Sequence, residues 1–283
     1  MFAAQQDGAL PQVALQSSPT ERYGVALARI SYASSACLSG TPTDHLIGII
    51  CSDPVPTEHT MADMRLHHES GPGSLCLCPA GADYVTAFGG PVDGIVMRIS
   101  AECLALAKAH LEVYSSTLVA QMDGRDPGLV RIARTLEAEA AAGHPNGMLF
   151  WSSITDGLLR HLATHHLSVA AAPLQGSLDG AALRRLDAYI RDNLAEPLDL
   201  ASLAAVVGCD RFHFAHRFRA TVGISPHRYV VRLRLDRARE LLLRGEEPLA
   251  EIAAATGFSD QSHLSNWVRR VYGTSPARLV ASR

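Results

Sequence analysis

The 283-residue sequence predicts two domains, a mainly β amino-terminal domain with packed helices and an all-α carboxyl-terminal domain of seven helices. Short apolar segments separated by turns rich in Gly, Pro and Asp fill residues 24–100 and predict strands. From residue 101 onward the apolar residues recur every three or four positions, which is the period of a helix. The last hundred residues contain the same helical unit twice.

The charge of the chain is divided unevenly between these two regions. From Arg184 to the carboxyl terminus the sequence contains 16 arginines and no lysine against 11 acidic residues, a formal charge of +5. Residues 1–183 carry −8. A basic region that follows an acidic one is typical of a nucleic-acid-binding module joined to a domain of another kind.

Cysteine usage and hydropathy indicate the cellular compartment. The six cysteines show no spacing typical of a disulfide framework, which fits a reducing cytoplasm. No apolar run approaches the ~18–20 residues of a membrane span. The first ten residues, MFAAQQDGAL, lack the basic start and apolar core of a signal peptide. We therefore expect a cytoplasmic protein with no membrane partner.

The amino-terminal domain is predicted over residues 21–166, after a flexible segment at 1–20. Its strands, between residues 24 and 100, fit a sandwich or barrel. Helices are predicted at 101–110, 127–142 and 148–167, and an exposed apolar stripe on them would allow a homodimer. Residues 167–180 are low in charge and contain Pro and Gly, so we expect a linker there.

The carboxyl-terminal domain is predicted over residues 181–283. Its first helix, 181–194, stops before Pro197, and the second, 200–207, begins after a capping aspartate, Asp199. The third helix runs from Asp210 to about residue 222. A long fourth helix, 226–244, starts with proline after a capping serine, Ser225. Two further helices at 248–256 and 260–272 and a short one from residue 276 complete the seven.

The repeated unit consists of a short apolar helix, a glycine turn and an arginine-bearing helix. The short helices read LASLAAVVG and LAEIAAATG and end at Gly208 and Gly257, each followed by a polar starter, Asp210 or Ser259. The copies are 49 residues apart at the first glycine and 50 apart at the later Ser-Pro pair, so the second copy has one added residue. This order of elements is that of a helix-turn-helix, whose second helix enters the DNA major groove. The units are predicted at about 200–222 and 248–272.

The segments GFSDQSHLSNWVRRVYGTSPARL and FHFAHRFRATVGISPHRYVVRLRLDRARELL resemble the AraC/XylS family of bacterial transcription regulators. The resemblance covers about residues 184–283. The turn LCPAG within the strand-rich region resembles the cupin-type effector-binding barrel of many members. The resemblance implies a cupin-like barrel followed by an AraC-type DNA-binding domain.

The resemblance also implies which side chains meet DNA. Carried over by position, seven residues would read bases, and their amide, hydroxyl and imidazole groups suit base edges. Four exposed arginines would contact phosphates. The base-reading set is Phe212, Ala215, His216, Gln261, Ser262, Ser265 and Asn266, and the phosphate set is Arg211, Arg219, Arg269 and Arg270. The chain departs from the family where Leu264 and Val268 replace the usual phenylalanines. This difference predicts a looser core in the second helix-turn-helix.

Two motifs in the amino half suggest metal or thiol chemistry, and for both we favour a structural role. His67 and His68 are adjacent on a predicted strand and would face opposite sides, so we expect no metal site with Glu69 but a solvated turn or strand end. Cys76 and Cys78 share one strand face, and two cysteines do not complete a zinc site. We expect them to be buried small residues. No catalytic residues, cofactor or metal are predicted, and the effector-binding residues stay unknown.

The function expected from these observations is sequence-specific, effector-responsive regulation of transcription rather than catalysis. The partners would be double-stranded promoter DNA, a small-molecule effector and, for an activator, RNA polymerase. The alternative is a cupin-type metalloenzyme or a DNA-repair methyltransferase that uses a cysteine and carries an appended DNA-binding domain. A third hypothesis is a constitutive DNA binder whose amino half only dimerises.

Overall fold

The computed structural model describes residues 12–17, 24–61, 64–111, 113, 116–169, 178–272 and 275–281. The chain divides into two compact units, residues 1–104 with 118–168 and residues 105–117 with 169–283. The predicted linker, 167–180, is described only at its ends, where 167–169 form a strand and a helix begins at Gly180. None of the helices among the described residues is long and apolar enough to cross a membrane.

The strands belong to the first unit, except that β10, Ser116–Leu118, and β12, Leu167–Val169, cross its boundaries in the sequence. They are β1 Gln12–Ser17, β2 Val25–Tyr32, β3 Ala36–Gly40, β4 His45–Ile50, β5 Val55–Met61, β6 Met64–Ser70, β7 Ser74–Cys78, β8 Tyr84–Phe88, β9 Val92–Ile99, β10 Ser116–Leu118, β11 Gln121–Arg125 and β12 Leu167–Val169. Helix α1, Ala101–His110, follows β9, and helices α2, Pro127–Ala141, and α3, Gly147–His165, follow β11. Residues 12–17, within the segment expected to be flexible, pair with β2.

The strands form separate sheets and do not close into the barrel that we expected. One sheet has the order β1-β2-β9-β4-β7-β11, a second has the order β3-β8-β5-β6, and β10 pairs with β12. Among the described strands, no hydrogen-bonded ladder joins the first two sheets, so each keeps two free edges. The prediction of a mainly β domain with helices is confirmed, but the described strands form no closed barrel, so the finer prediction of a cupin-like barrel stays a prediction.

The six-stranded sheet has two different faces because side chains alternate along its strands. Ile47, Ile49, Ile95 and Met97 are buried on one face, and helix α2 packs against β1 and β2. Leu46, Gly48, Ile50 and Val96, which alternate with them, are less buried. This alternation gives the sheet a packed side and a side that faces a cavity.

An ionic network fixes α2 to this sheet. Arg29 on β2 donates to Asp93 on β9 at 2.8 Å and to Glu137 on α2 at 2.7 Å. Burial raises the pKa of Asp93, but hydrogen bonds from Arg29 and Ser31 outweigh this effect and lower it. The network therefore links β2, β9 and α2 through one guanidinium group.

The second unit contains seven helices between Gly180 and Ala281, within the described residues. They are α4 Gly180–Asp192, α5 Leu200–Val206, α6 Arg211–Val222, α7 Pro226–Arg244, α8 Leu249–Ala255, α9 Gln261–Tyr272 and α10 Pro276–Ala281. Asp199, Asp210 and Ser225 cap the helices at which the sequence placed them.

Two glycines at equivalent turns differ in their surroundings. Gly208 and Gly257 have φ of +68° and +75°, a region that glycine enters at no steric cost. A Cβ at residue 208 would meet nothing within 4 Å, whereas one at residue 257 would lie 2.2 Å from the carbonyl oxygen of Leu194. Arg234 donates to that same carbonyl oxygen at 3.0 Å. The turn after α8 therefore packs against the end of α4, and the turn after α5 is open.

This difference predicts unequal costs for the same substitution. Gly208→Ala should lower the free energy of unfolding of the second unit by about 1–2 kcal/mol, because only the left-handed backbone is strained. Gly257→Ala should cost roughly 2–5 kcal/mol, because backbone must also move. Urea unfolding of the full chain, followed by helical circular dichroism, measures both. Equal losses would contradict the close contact at residue 257.

Candidate nucleic-acid interface and effector cavity

The first helix-turn-helix consists of α5 and α6. Helix α5 ends at Val206, and Gly208 reverses the chain direction. Asp210 then begins α6, its side chain accepting from the backbone N–H groups of Phe212 at 2.9 Å and His213 at 3.1 Å. The hydrogen bonds from the side chain and backbone of His213 lower the pKa of Asp210. The cap is therefore ionised at neutral pH and holds the start of the helix.

The second helix-turn-helix, α8 and α9, shows where the added residue lies. Helices α5 and α8 begin at residues 200 and 249, 49 apart, but α6 and α9 begin at residues 211 and 261, 50 apart. The extra residue is therefore in the turn between Gly257 and Asp260. Ser259, which we expected to start the helix, is displaced from that role because Asp260 accepts from the backbone N–H of His263 at 2.8 Å.

The two recognition helices, α6 and α9, repeat the same pattern of burial. Over residues 211–220 and 261–270 the fourth and eighth positions are buried, the fifth and seventh are half-buried, and the other six are exposed. The buried positions are filled by Phe214 and Phe218 in α6 and by Leu264 and Val268 in α9, all at most 1% exposed. The smaller residues of α9 thus occupy equivalent core positions.

Aromatic packing anchors the first recognition helix to its neighbours. The ring of Phe218 lies 5.7 Å from that of Phe214 and 5.4 Å from that of Tyr229 on α7, an edge contact. The hydroxyl of Tyr229 donates to Asp187 on α4 at 2.5 Å. Helices α4, α6 and α7 therefore share one core, and this core sets the direction in which α6 presents its outer face.

The predicted DNA-contacting residues lie on the outer faces of α6 and α9. Phe212 is 74% exposed, and Ala215 and Ser265 are half-buried. The remaining members of both predicted sets are exposed: His216, Gln261, Ser262, Asn266, Arg211, Arg219, Arg269 and Arg270. Residues three, four and seven apart share one side of a helix, so each set forms one surface on its own helix.

Several of these side chains contact one another. The amide oxygen of Asn266 accepts from Arg269 at 3.1 Å. The guanidinium carbon of Arg270 lies 5.1 Å from the ring centre of Trp267, and that of Arg211 lies 4.8 Å from the ring centre of Phe212. These cation–π contacts direct two arginines along the helix surface.

Sequence reasoning missed a hydrogen-bonded row on α9. The indole N–H of Trp267 donates to Nε2 of His263 at 3.0 Å, and Nδ1 of His263 lies 3.1 Å from the hydroxyl of Ser259. The row ends beside Arg270, which lies over the indole. A signal was present in the sequence, since His213 and His263 occupy the third position of each recognition helix and follow an aspartate by three residues.

Three of the six arginines of α7 bind groups within the helical unit. Arg234 donates to the backbone oxygens of Leu194 and Glu196, and burial lowers its pKa. Arg232 pairs with Asp236, and Arg237 pairs with Glu240. The structure thus separates arginines that bind within the helical unit from those on the outer faces of α6 and α9.

A cavity that is partly open to solvent lies between the two large sheets of the first unit. Its walls are mostly apolar, with a polar end. The lining includes Ile30, Leu38, Leu46, Ile50, Phe88 and Val96 among the apolar residues, and Ser70, Tyr84, Thr86 and His59 among the polar ones. Apolar walls with a few placed polar groups are typical of small-molecule sites.

At the polar end of the cavity, the buried His59 contacts a hydroxyl and a second histidine. Nδ1 of His59 lies 2.9 Å from the hydroxyl of Thr86, and its ring stacks on His68 at 5.3 Å. Burial, with a smaller effect of His68, lowers the pKa of His59 to about 4. At neutral pH this imidazole is therefore uncharged.

The two motifs of the amino half have different surroundings. His67 is exposed and pairs with Glu58, whereas His68 is largely buried and lies 3.3 Å from Asp123. The expected solvated turn is wrong for His68, because strand β6 continues through it and tertiary packing covers one face. Cys76 and Cys78 line the cavity. Burial raises their thiol pKa values to about 12 and about 11.

Two helix-turn-helix pairs with outward arginines define a DNA-binding domain. Residues 203–282 match the family model described as "Helix-turn-helix domain". The carboxyl-terminal unit is an AraC-type helix-turn-helix domain, the type found in AraC/XylS-family regulators.

The chain is similar to several known proteins. The "Probable transcriptional regulator LumQ" of Photobacterium leiognathi is 40% identical over 93 residues, 33% of this chain and 38% of LumQ. The "HTH-type transcriptional regulator GbdR" of Pseudomonas aeruginosa is 27% identical over 211 residues, 72% of this chain and 56% of GbdR. A solved transcriptional regulator from Chromobacterium violaceum with an AraC-type DNA-binding domain is 31% identical, over 36% of this chain and 90% of that one, with a TM-score of 0.34. The alignments with LumQ and GbdR thus span less than two thirds of those proteins.

The burial pattern of α6 predicts that truncating two nearby phenylalanines changes the stability of the second unit by very different amounts. Phe214→Ala should lower the free energy of unfolding of the second unit by about 3–5 kcal/mol, because it leaves a cavity in the core. Phe212→Ala should change it by less than about 0.5 kcal/mol, because the side chain is exposed. Urea unfolding measures both, and a large loss at residue 212 would contradict the orientation of α6.

Proposed function

We propose that this protein is a sequence-specific DNA-binding transcriptional regulator whose two recognition helices enter successive major-groove segments of promoter DNA. The observation that carries the proposal is the identical burial pattern of α6 and α9, each presenting one exposed face. Helix α7, which connects the two helix-turn-helix pairs, has 19 residues and a length of about 28 Å at 1.5 Å per residue. This length is close to one DNA turn of about 34 Å, so both helices can reach the same side of a duplex.

Base reading is assigned to the exposed polar side chains on the outer faces. The amides of Gln261 and Asn266 suit adenine, which offers a donor and an acceptor side by side in the major groove. His216 occupies the position in α6 that Asn266 occupies in α9, so the two helices read different bases. Phe212, Ala215, Ser262 and Ser265 complete the set. The small Ala215 and Ser265 allow close approach, and Phe212 suits a thymine methyl group.

Phosphate binding is assigned to Arg211, Arg219, Arg269 and Arg270. Guanidinium groups bind phosphate oxygens strongly and without regard to sequence, and they fix the register of the protein on DNA. The cation–π contacts of Arg211 and Arg270 support this role, because they hold the guanidinium groups near the helix surface.

Regulation is assigned to a small effector in the cavity of the first unit. The walls and the neutral His59 favour an uncharged, mainly apolar molecule with one group that bonds to the polar end. Effector binding would change DNA affinity by a coupling typically worth about 1–3 kcal/mol. If no metabolite shifts the melting temperature of the protein, a constitutive DNA binder that dimerises through its amino half becomes the better hypothesis.

The enzymatic alternative is less well supported. Methyl transfer to a cysteine requires a thiolate, but burial keeps Cys76 and Cys78 protonated at neutral pH. The relatives reported above are named as transcriptional regulators. We further propose a cytoplasmic location, a homodimer and, for an activator, contact with RNA polymerase.

The base-reading assignment is tested at Asn266. Asn266→Ala should cost about 1–3 kcal/mol of binding free energy at the preferred operator and relax base preference at one position. Selection from a randomised DNA library, sequenced for the wild type and the variant, measures the preference. An unchanged base preference at every position would contradict the assignment. His216→Ala should relax a different position and serves as the matched variant on α6.

The phosphate assignment is tested at Arg269. Arg269→Ala should weaken binding to all sequences about equally and reduce the slope of log K against log salt by about 1, because one fewer phosphate is neutralised. Since Arg269 also donates to Asn266, the double variant with Asn266→Ala separates the two roles. Loss confined to the operator would show that Arg269 acts through Asn266 rather than on phosphate.

A further inference from the structure

We propose that the first unit binds one Zn²⁺ ion through Asp126, His161 and His166, none of which lines the cavity or belongs to the histidine motif at residues 67–69. Oδ2 of Asp126 lies 2.6 Å from Nε2 of both histidines. The three donor atoms lie within 4.8 Å of one another. Their residues are 35 and 40 positions apart in the sequence, so only the fold brings them together.

Secondary structure holds each of the three residues in place. Asp126 is the N-cap of α2, and its other oxygen, Oδ1, accepts from the backbone N–H of Leu129 at 2.9 Å, which turns Oδ2 towards the histidines. His161 lies near the end of α3. His166 follows that helix, with its own N–H bonded to the oxygen of Leu162 and its carbonyl accepting from Val119. The carboxylate and both imidazoles therefore converge on one point without rearrangement of the backbone.

The first turn of α2 leaves room for this arrangement at Gly128. A Cβ there would lie 2.8 Å from Cε1 of His161 and 3.1 Å from Oδ1 of Asp126. Glycine disfavours a helix relative to alanine by about 1 kcal/mol. Its presence here is accounted for by the imidazole that occupies the space.

The donor set selects the metal. Two imidazole nitrogens with one carboxylate oxygen suit Zn²⁺, whereas Ca²⁺ and Mg²⁺ prefer oxygen ligands. Donors at about 2.0–2.1 Å in tetrahedral geometry are about 3.3 Å apart, so the two N–O distances of 2.6 Å must open by about 0.7 Å. The protons now shared with the carboxylate are displaced by the ion. Solvent supplies the fourth ligand.

The surroundings of His166 set the expected affinity. Its Nδ1 is buried and has no hydrogen-bond partner among the described residues. Histidines that bind zinc usually donate through the second nitrogen, and loss of that bond weakens metal binding about 10–100-fold. We therefore expect a dissociation constant in the micromolar range, and an ion that ties the start of α2 to the end of α3.

The test is calorimetric titration of the full-length, chelator-treated protein with Zn²⁺. The expected result is one ion per chain and a higher melting temperature. Asp126→Asn, His161→Gln and His166→Gln should each weaken binding at least about tenfold. Asparagine caps helices as well as aspartate does, so Asp126→Asn keeps α2 intact. His67→Gln, which changes an exposed histidine, is the matched control and should bind as the wild type does.

A second titration with Co²⁺ identifies the ligands by absorption. Nitrogen and oxygen ligands give d–d bands in the visible range, whereas thiolates add a strong near-ultraviolet charge-transfer band. A thiolate band would place the metal on cysteines and overturn the proposal. No binding at millimolar Zn²⁺, or equal affinity in the wild type and the Asp126→Asn variant, would also overturn it.

Discussion

Burial of two side chains four residues apart on each recognition helix is the constraint on which the DNA-facing surface depends. Once Phe214 and Phe218 are placed in the core with Tyr229, the rotation of α6 about its axis is fixed, and Phe212, His216 and Arg219 must face outwards. Leu264 and Val268 impose the same rotation on α9. Two helices with different sequences therefore expose equivalent positions, and the proposal that one domain reads two sites with different chemistry rests on this equivalence.

The turns before these helices show how the fold accommodates a change in length. The added residue of the second helix-turn-helix lies between Gly257 and Asp260, so the aspartate cap and the burial pattern of α9 are preserved. Arg234 on α7 donates to the backbone oxygens of Leu194 and Glu196, just after α4. The absence of a side chain at Gly257 makes room for this contact. The turn of the second helix-turn-helix is thereby held to its neighbours by polar contacts, whereas the turn of the first is open.

In the amino-terminal unit, the same alternation along the strands creates both a core and a cavity. One face of the six-stranded sheet is covered, and the α2 helix is held to it by Arg29 and Glu137. The other face meets the four-stranded sheet across a space lined by apolar side chains and the neutral His59. Because the two sheets are not joined by strand pairing, their separation is set by side chains, which leaves room for a small molecule.

The sequence by itself determined the features that depend on neighbouring residues. Helix ends fell within two residues of those expected, because capping aspartates, serine and helix-stopping glycines act over three or four residues. The opposite faces of His67 and His68 followed from strand geometry in the same way. Only the tertiary structure decided how the strands divide between sheets, that His68 is covered, that Asp260 replaces Ser259 as the cap, and that Asp126 meets His161 and His166. Each of these depends on contacts between distant segments or on competition between adjacent caps, and no local pattern encodes either.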